Sequence, residues 1–176
     1  MSRIPAHTVA NAPAASRAIL EKIVQSTPGG RPANLHAQMA HSPAVLTAYS
    51  SLRAALSEQK SFDPKLGAAL TLAVSSAVES AYMTRIASRL ALMNGWTEAQ
   101  VTTLAKGAPT GEAKLDALTN LVREAATHSG NLADPTWDTA VKAGWSDENL
   151  ADAYAYVGAT VFTASFLNYA RTTLDL

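Results

Sequence analysis

Cysteine is missing from the chain altogether, which excludes disulfides, thiolate nucleophiles, dithiol redox chemistry and thiolate metal sites. An excess of charge is missing too: 14 basic residues stand against 14 acidic ones, and the formal net charge is +0. No basic stripe marks a nucleic-acid face, and a neutral surface leaves copies of the chain little reason to repel one another. The opening MSRIPAHTVANAP lacks the apolar segment of a secretory signal. The longest uncharged run, Ala153–Tyr169, ends in Asn-Tyr, is rich in Gly, Ser and Thr, and falls short of the ~20 residues that span a bilayer. A cytoplasmic protein with no membrane and no nucleic-acid partner is the expectation. There is no HExxH, no Gly-rich phosphate loop and no GxSxG. His7, His36 and His128 show no metal-ligand spacing, so neither a metal nor a cofactor is expected. Nothing alternates at period two for long enough to make a strand.

What is present reads as helix. Hydrophobic residues make up 48% of the chain and charged residues 16%, which suits one compact domain over 1–176. Asn11 is placed to cap a helix over Ala12–Gln25, and Pro28-Gly29-Gly30 stops it. A short turn follows at Asn34–Ala40. Ser42 caps Pro43–Glu58, with Pro43 at the first helical position, and Asp63-Pro64 repeats the device for Pro64–Val78. The stretch 74–96 is expected to be a helix around which the rest is organised. Thr97 and Gln100 form a capping box for Glu98–Lys106. Glu112–His128 is amphipathic, Asp134 caps Pro135–Ala143, and Ser146 caps a final helix over about 147–172. The fold class is all-α, a bundle of about seven to nine helices.

Two segments echo each other. Ala91-Leu-Met-Asn-Gly95-Trp96-Thr97-Glu98 resembles Ala140-Val-Lys-Ala-Gly144-Trp145-Ser146-Asp147. Each is a helix end, a Gly where the chain turns through positive φ, a Trp, a hydroxyl N-cap and a new helix. The simpler reading is one common joint used twice; the sharper is a duplicated helical hairpin.

The segments RIPAHTVANAPAASRAIL, MAHSPAVLTAYSSLRAAL and LTLAVSSAVESAYMTRIASRLALMNGWTEAQV resemble the carboxymuconolactone decarboxylase / alkylhydroperoxidase D superfamily. So do KLDALTNLVREAATHSGNLADPTWDTAVKAGW, SDENLADAYAYVGATVFTASFLNYA and the closing TTLDL, with the core of the match at about 43–128. The resemblance implies that family's helical fold and its habit of forming trimers and hexamers. Its peroxidase branch carries a Cys-x-x-Cys pair, a His one turn beyond, and an upstream Glu. Registered on Gly95, the first Cys falls on Ser80, the second on Met83, the His on Ala87 and the Glu on Ala68. The His of the decarboxylase branch also falls on Ala87. Peroxide reduction of this type needs a thiolate to attack and a second thiol to resolve the sulfenic acid, and neither is here.

Three nearby residues are pocket candidates: Tyr82, Glu79 and His41. The stripe Tyr82, Ile86, Leu90, Met93 has helical spacing and reads as core. Glu79 and Arg85 are six apart and do not face each other on one helix, while Arg85 and Arg89 at i, i+4 repel unless carboxylates reach them. They read as a solvated edge or as a cationic rim for an anionic ligand. His41, just before the Ser42-Pro43 cap and near the pocket by resemblance, reads as a structural hydrogen-bonder before a catalyst. The last helix is apolar on more than one face, which implies burial on more than one side and a homo-oligomer. Three functions remain in view. One is a non-thiol protein that binds or transforms a small carboxylated or carbonyl-bearing molecule. Another is an inactive paralogue serving as a binding or assembly subunit, and the third a peroxidase by an unanticipated route.

Overall fold

The computed structural model describes residues 1–27 and 29–175. Pro28, expected to help stop the first helix, and Leu176, the end of the TTLDL segment, lie outside the described residues. Among the described residues every regular element is helical: α1 (Ala14–Gln25), α2 (Asn34–Met39), α3 (Pro43–Glu58), α4 (Pro64–Ala77), α5 (Ala81–Met93), α6 (Glu98–Lys106), α7 (Ala113–Thr127), α8 (Asp134–Lys142) and α9 (Asp147–Ala170). The fold is all-α. The residues form two compact units, 1–57 with 165–176, and 58–164.

Most helix starts lie where the side chains can accept first-turn amides. Ser42 Oγ accepts from Val45 N at 3.3 Å and Asp63 Oδ1 from Leu66 N at 2.7 Å, with Pro64 at the first position. Thr97 and Gln100 bond reciprocally. Ser146 Oγ accepts from Asn149 N, and Asn149 Oδ1 from Ser146 N, both at 3.2 Å. Two expected caps fail. Asn11 does not cap α1, which begins at Ala14 after Pro13; its Oδ1 accepts the Thr8 amide at 2.8 Å instead. Asp134 lies inside the first turn of α8 and caps nothing. Glu124 of α7 takes that role, accepting the Ala133 amide at 2.7 Å and the Thr136 hydroxyl. These bonds, the Thr136 hydroxyl first, lower the Glu124 pKa.

The largest departure from the sequence reading is at 74–96, which is not one helix. α4 ends at Ala77 and α5 starts at Ala81. Ser80 N donates to Ser75 O at 3.2 Å and Glu79 N to Ser76 O at 3.2 Å, the paired bonds of a Schellman close. The residue turning through positive φ is Glu79, at 54°. A glycine would have announced this turn; a glutamate does not.

In the unit 58–164, α4 packs against α5, α6 and α7. All nine residues Gly67–Ser75 are buried. The hydroxyls of Thr71 and Ser75 bond back to the carbonyls of Gly67 and Thr71 at 2.9 and 2.6 Å, so they need no outside partner. The internal echo proves deeper than a shared joint. Trp96 Nε1 donates to Lys65 O at 2.8 Å, and Trp145 Nε1 to Lys114 O at 2.9 Å. Lys65 Nζ lies 4.6 Å from the Trp96 ring centroid and Lys114 Nζ 4.5 Å from that of Trp145. Gly95 and Gly144 turn at φ 87° and 86°. Every member of the second set lies 49 positions after its counterpart, as do the starts of α7 and α9 after those of α4 and α6. Joint chemistry alone does not fix where the lysines fall, so the duplicated unit is the better description.

In the unit 1–57 with 165–176, Thr172 Oγ1 donates to Gln38 Oε1 at 2.5 Å and Gln38 Nε2 to Ile4 O at 2.6 Å. His36 bonds Tyr49 Oη through Nε2 at 3.1 Å. By length and composition α9 is able to cross a membrane, and 50% of its apolar window is buried within the chain. Core helices of globular proteins pass the same test.

Two predictions follow from this packing. A Cβ on Gly67 would meet Tyr156 Oη at 2.5 Å. Tyr156 is 6% exposed, lies edge-on to Phe62 and accepts from Gln59 Nε2, so it has little room to retreat. Overpacking of about 1–3 kcal/mol outweighs the ~1 kcal/mol helix gain from alanine. Gly67→Ala therefore lowers the urea midpoint, and the loss shrinks in a Tyr156→Phe background. His36 has its pKa lowered to about 4 by burial first and then by the Arg53 charge. The folded chain then holds it neutral while the unfolded chain protonates it from pH ~6.5 downward, so stability falls with pH across the window from about 6.5 to 4. At ~1.4 kcal/mol per pH unit the loss is about 2–3 kcal/mol by pH 4. Urea midpoints at pH 7 and pH 4 measure it, and His36→Gln flattens that limb.

Candidate functional site

The break at Glu79 creates the site. It redirects the chain so that the end of α4 and the outer face of α5 share an open cleft of about 490 Å³, lined by Ser76, Glu79, Ala81, Thr84, Arg85 and Ser88. Glu79 and Arg85, expected to face apart on a continuous helix, thus line one cleft. Both are exposed, and among the described residues no ion pair joins them. Ser76 is held from two sides: its Oγ donates to Leu72 O at 2.9 Å and accepts from Arg123 Nη1 at 2.9 Å. The same Arg123 atom donates to Ala73 O at 3.0 Å, and burial lowers the Arg123 pKa. The Arg85 guanidinium beside the hydroxyls of Thr84 and Ser88 is a donor set for a carboxylate or carbonyl oxygen. Ser76, Thr84, Ser88 and Arg123 were not singled out from the sequence. The only available signal was the i, i+4 spacing of Thr84 and Ser88, which is common on helix surfaces.

The positions matched to the peroxidase pattern lie elsewhere. Ala68 and Ala87 are 2% and 0% exposed and meet in one apolar cluster with Leu72, Ala91, Trp96 and Leu104. Methyl groups pack at both positions. Met83 is buried on α5. Ser80 is fully buried at the first residue before α5, caps nothing, and its hydroxyl has no hydrogen-bond partner among the described residues. The hydroxyls of Ser16 and Ser50 and Nδ1 of His36 share that state.

The other candidates divide. Tyr82 is 5% exposed and does not line the cleft. The core stripe through it stops short, since Met93 is 79% exposed at the end of α5. His41 belongs to the unit 1–57 with 165–176. Its Nε2 donates to Pro5 O at 2.9 Å, and its Nδ1 lies 3.2 Å from His7 Nε2, the rings 3.9 Å apart. His7 Nδ1 in turn bonds Asn11 Oδ1 at 3.1 Å, an oxygen already fixed as acceptor by the Thr8 amide. No nitrogen of His41 is left for a substrate. Among the described residues no group of three or more His, Asp or Glu is placed to hold a metal ion.

No protein-family model and no curated protein matches the sequence. The fold does have solved counterparts. A structure described as the alkylhydroperoxidase AhpD core, an uncharacterized peroxidase-related protein from Ralstonia eutropha JMP134, superposes with a TM-score of 0.83 at 16% identity, over 99% of this chain and 92% of that one. An uncharacterized peroxidase-related protein from Silicibacter sp. TM1040 gives 0.77 at 15% identity, over 99% and 95%. The debrominase Bmp8 gives 0.74 at 16% identity, over 90% and 85%. The chain has the alkylhydroperoxidase AhpD-like helical fold, as the sequence resemblance implied.

The Ser80 hydroxyl supplies a test. A buried, unsatisfied hydroxyl costs about 1–3 kcal/mol, and alanine removes it without leaving a sizeable cavity. Ser80→Ala is expected to raise the thermal midpoint of the ligand-free protein. A fall in that midpoint would mean that the hydroxyl is satisfied in solution.

Proposed function

We propose that this chain is a non-thiol protein of the AhpD-like fold that binds, or transforms without thiol chemistry, a small carboxylated or carbonyl-bearing organic molecule at the α4–α5 cleft. The observation that carries the reading is Arg85, a guanidinium without an ion-pair partner among the described residues, in a cleft lined by the hydroxyls of Ser76, Thr84 and Ser88. An arginine so placed presents a planar donor fork to a carboxylate. Glu79 stands beside it as the candidate proton carrier, on a backbone whose positive φ costs of order 1–3 kcal/mol, the kind of strain that gathers at functional sites. In this reading the redox site is degenerate: Ser80, Met83, Ala87 and Ala68 stand at the family's functional positions and the chain is not a dithiol peroxidase. Serine is a poor nucleophile towards a peroxide, and oxidised methionine needs a separate reductase to turn over. A variant of the debrominase Bmp8, a protein of this fold, has been captured with 2,3,4-tribromopyrrole, which supports a small organic ligand here.

The second reading, an inactive paralogue acting as a binding or assembly subunit, is favoured by the apolar side chains left exposed. Leu92 and Met93 on α5, Trp137 and Val141 on α8, and Tyr154 and Tyr169 on α9 are each at least 41% exposed. They also support self-association, and the proposal includes a cytoplasmic homo-oligomer, a trimer or hexamer by the sequence resemblance.

Native mass spectrometry of untagged protein separates the readings. A defined oligomer carrying a stoichiometric small mass that Arg85→Met loses is the expected result. A bare oligomer shifts the conclusion to the assembly subunit. In a coupled assay, hydroperoxide consumption is expected to be no faster than in the Met83→Leu variant, and faster consumption would shift the conclusion to a peroxidase acting by an unanticipated route through Met83.

A further inference from the structure

The duplicated unit builds a second cleft, of about 270 Å³, whose walls come in four repeat-related pairs: Leu66 with Leu115, Trp96 with Trp145, Lys65 with Lys114, and Asp63 with Glu112. It shares no residue with the α4–α5 cleft, so it stands independently of the function proposed above. We propose that this cleft binds a small dicarboxylate, one carboxylate at each lysine and the apolar body across the two leucines.

The lysines are placed for this by the tryptophans. Each indole N–H is tied to the carbonyl of its own lysine, so ring, lysine backbone and ammonium form one closed unit. Contact with the ring face steadies the ammonium without neutralising it. Lys114 Nζ gives one proton to Gly144 O at 3.3 Å, which leaves it two more to donate. Among the described residues neither ammonium makes an ion pair, although Asp63 and Glu112 also line the cleft. Asp63 is engaged elsewhere, with its Oδ1 on the Leu66 amide at 2.7 Å. Glu112 makes no such bond to the first turn of α7. Two cations without ion-pair partners, at repeat-equivalent positions in a cleft that two leucines also line, match a ligand with two equivalent anionic ends. At ~30 Å³ per water-sized group, the volume holds on the order of ten non-hydrogen atoms, the size of a six- to eight-carbon diacid.

The test is an NMR titration of the ¹⁵N-labelled full chain with succinate, adipate and suberate, each against the monomethyl ester of the same diacid at matched ionic strength. The indole N–H signals of Trp96 and Trp145 are expected to shift saturably together while that of Trp137 stays still. At least one diacid should half-saturate at a concentration about tenfold lower than its monoester does. Lys65→Met and Lys114→Met, which keep the apolar stem on the ring, should each weaken binding about tenfold, and Lys106→Met should titrate as the native chain. Lys114→Gln repeats the measurement if a methionine variant does not fold. Absence of saturable shifts with all three diacids, equal response to diacid and monoester, or native-like titration of the lysine variants would overturn the proposal.

Discussion

The nine buried residues of α4 leave that helix no face to give to water. A helix in that position must be wrapped, and its own composition says by what. Gly67, Ala68, Ala69 and Ala73 let neighbouring helices approach closely, while Leu70, Leu72 and Val74 supply the apolar area. Its hydroxyls return to the helix's own carbonyls, so polar side chains cost nothing in unsatisfied groups. The same constraint explains Ala68 and Ala87. Once they close an apolar cluster with Trp96 and Leu104, an ionised carboxylate or an imidazolium there would face a desolvation cost of several kcal/mol. The packing around α4 thus keeps ionised side chains out of this part of the interior.

Much of the fold was legible because local chemistry decided it. Ser42-Pro43, Asp63-Pro64, the Thr97–Gln100 box and Ser146 each specify a helix start from within four residues, and the structure follows them. The failures come from a competing hydrogen-bond partner or from an unsignalled backbone state. Asn11 lost its capping role to a turn amide, and Asp134 lost its own to Glu124, ten residues earlier in sequence. Glu79 turns through positive φ with no glycine to show it, and so two helices read as one. That error hid the candidate site, because the cleft exists only where the helix breaks. The lysine–tryptophan pairs were equally hidden. Their spacing is constant, but only the bonds at both ends give that constancy a meaning.

The chain thus has the AhpD-like helical fold, with polar groups gathered at the α4–α5 cleft. Arg85 is exposed on α5 with Thr84 and Ser88 half-buried beside it, whereas Ala68, Ser80, Met83 and Ala87 are buried. Helical scaffolds of this kind hold their shape through buried apolar contacts, and side chains on their outer faces are free to change function with little effect on stability.

The doubled tie between indole and lysine carbonyl also bears on how the chain folds. Each tie closes a segment of the same length, 31 residues from lysine to tryptophan, so the two halves meet the same loop-closure entropy. Neither has a topological head start. Which half nucleates is then decided by side-chain packing alone, and a core substitution in one half is able to reroute folding through the other while leaving the final structure unchanged.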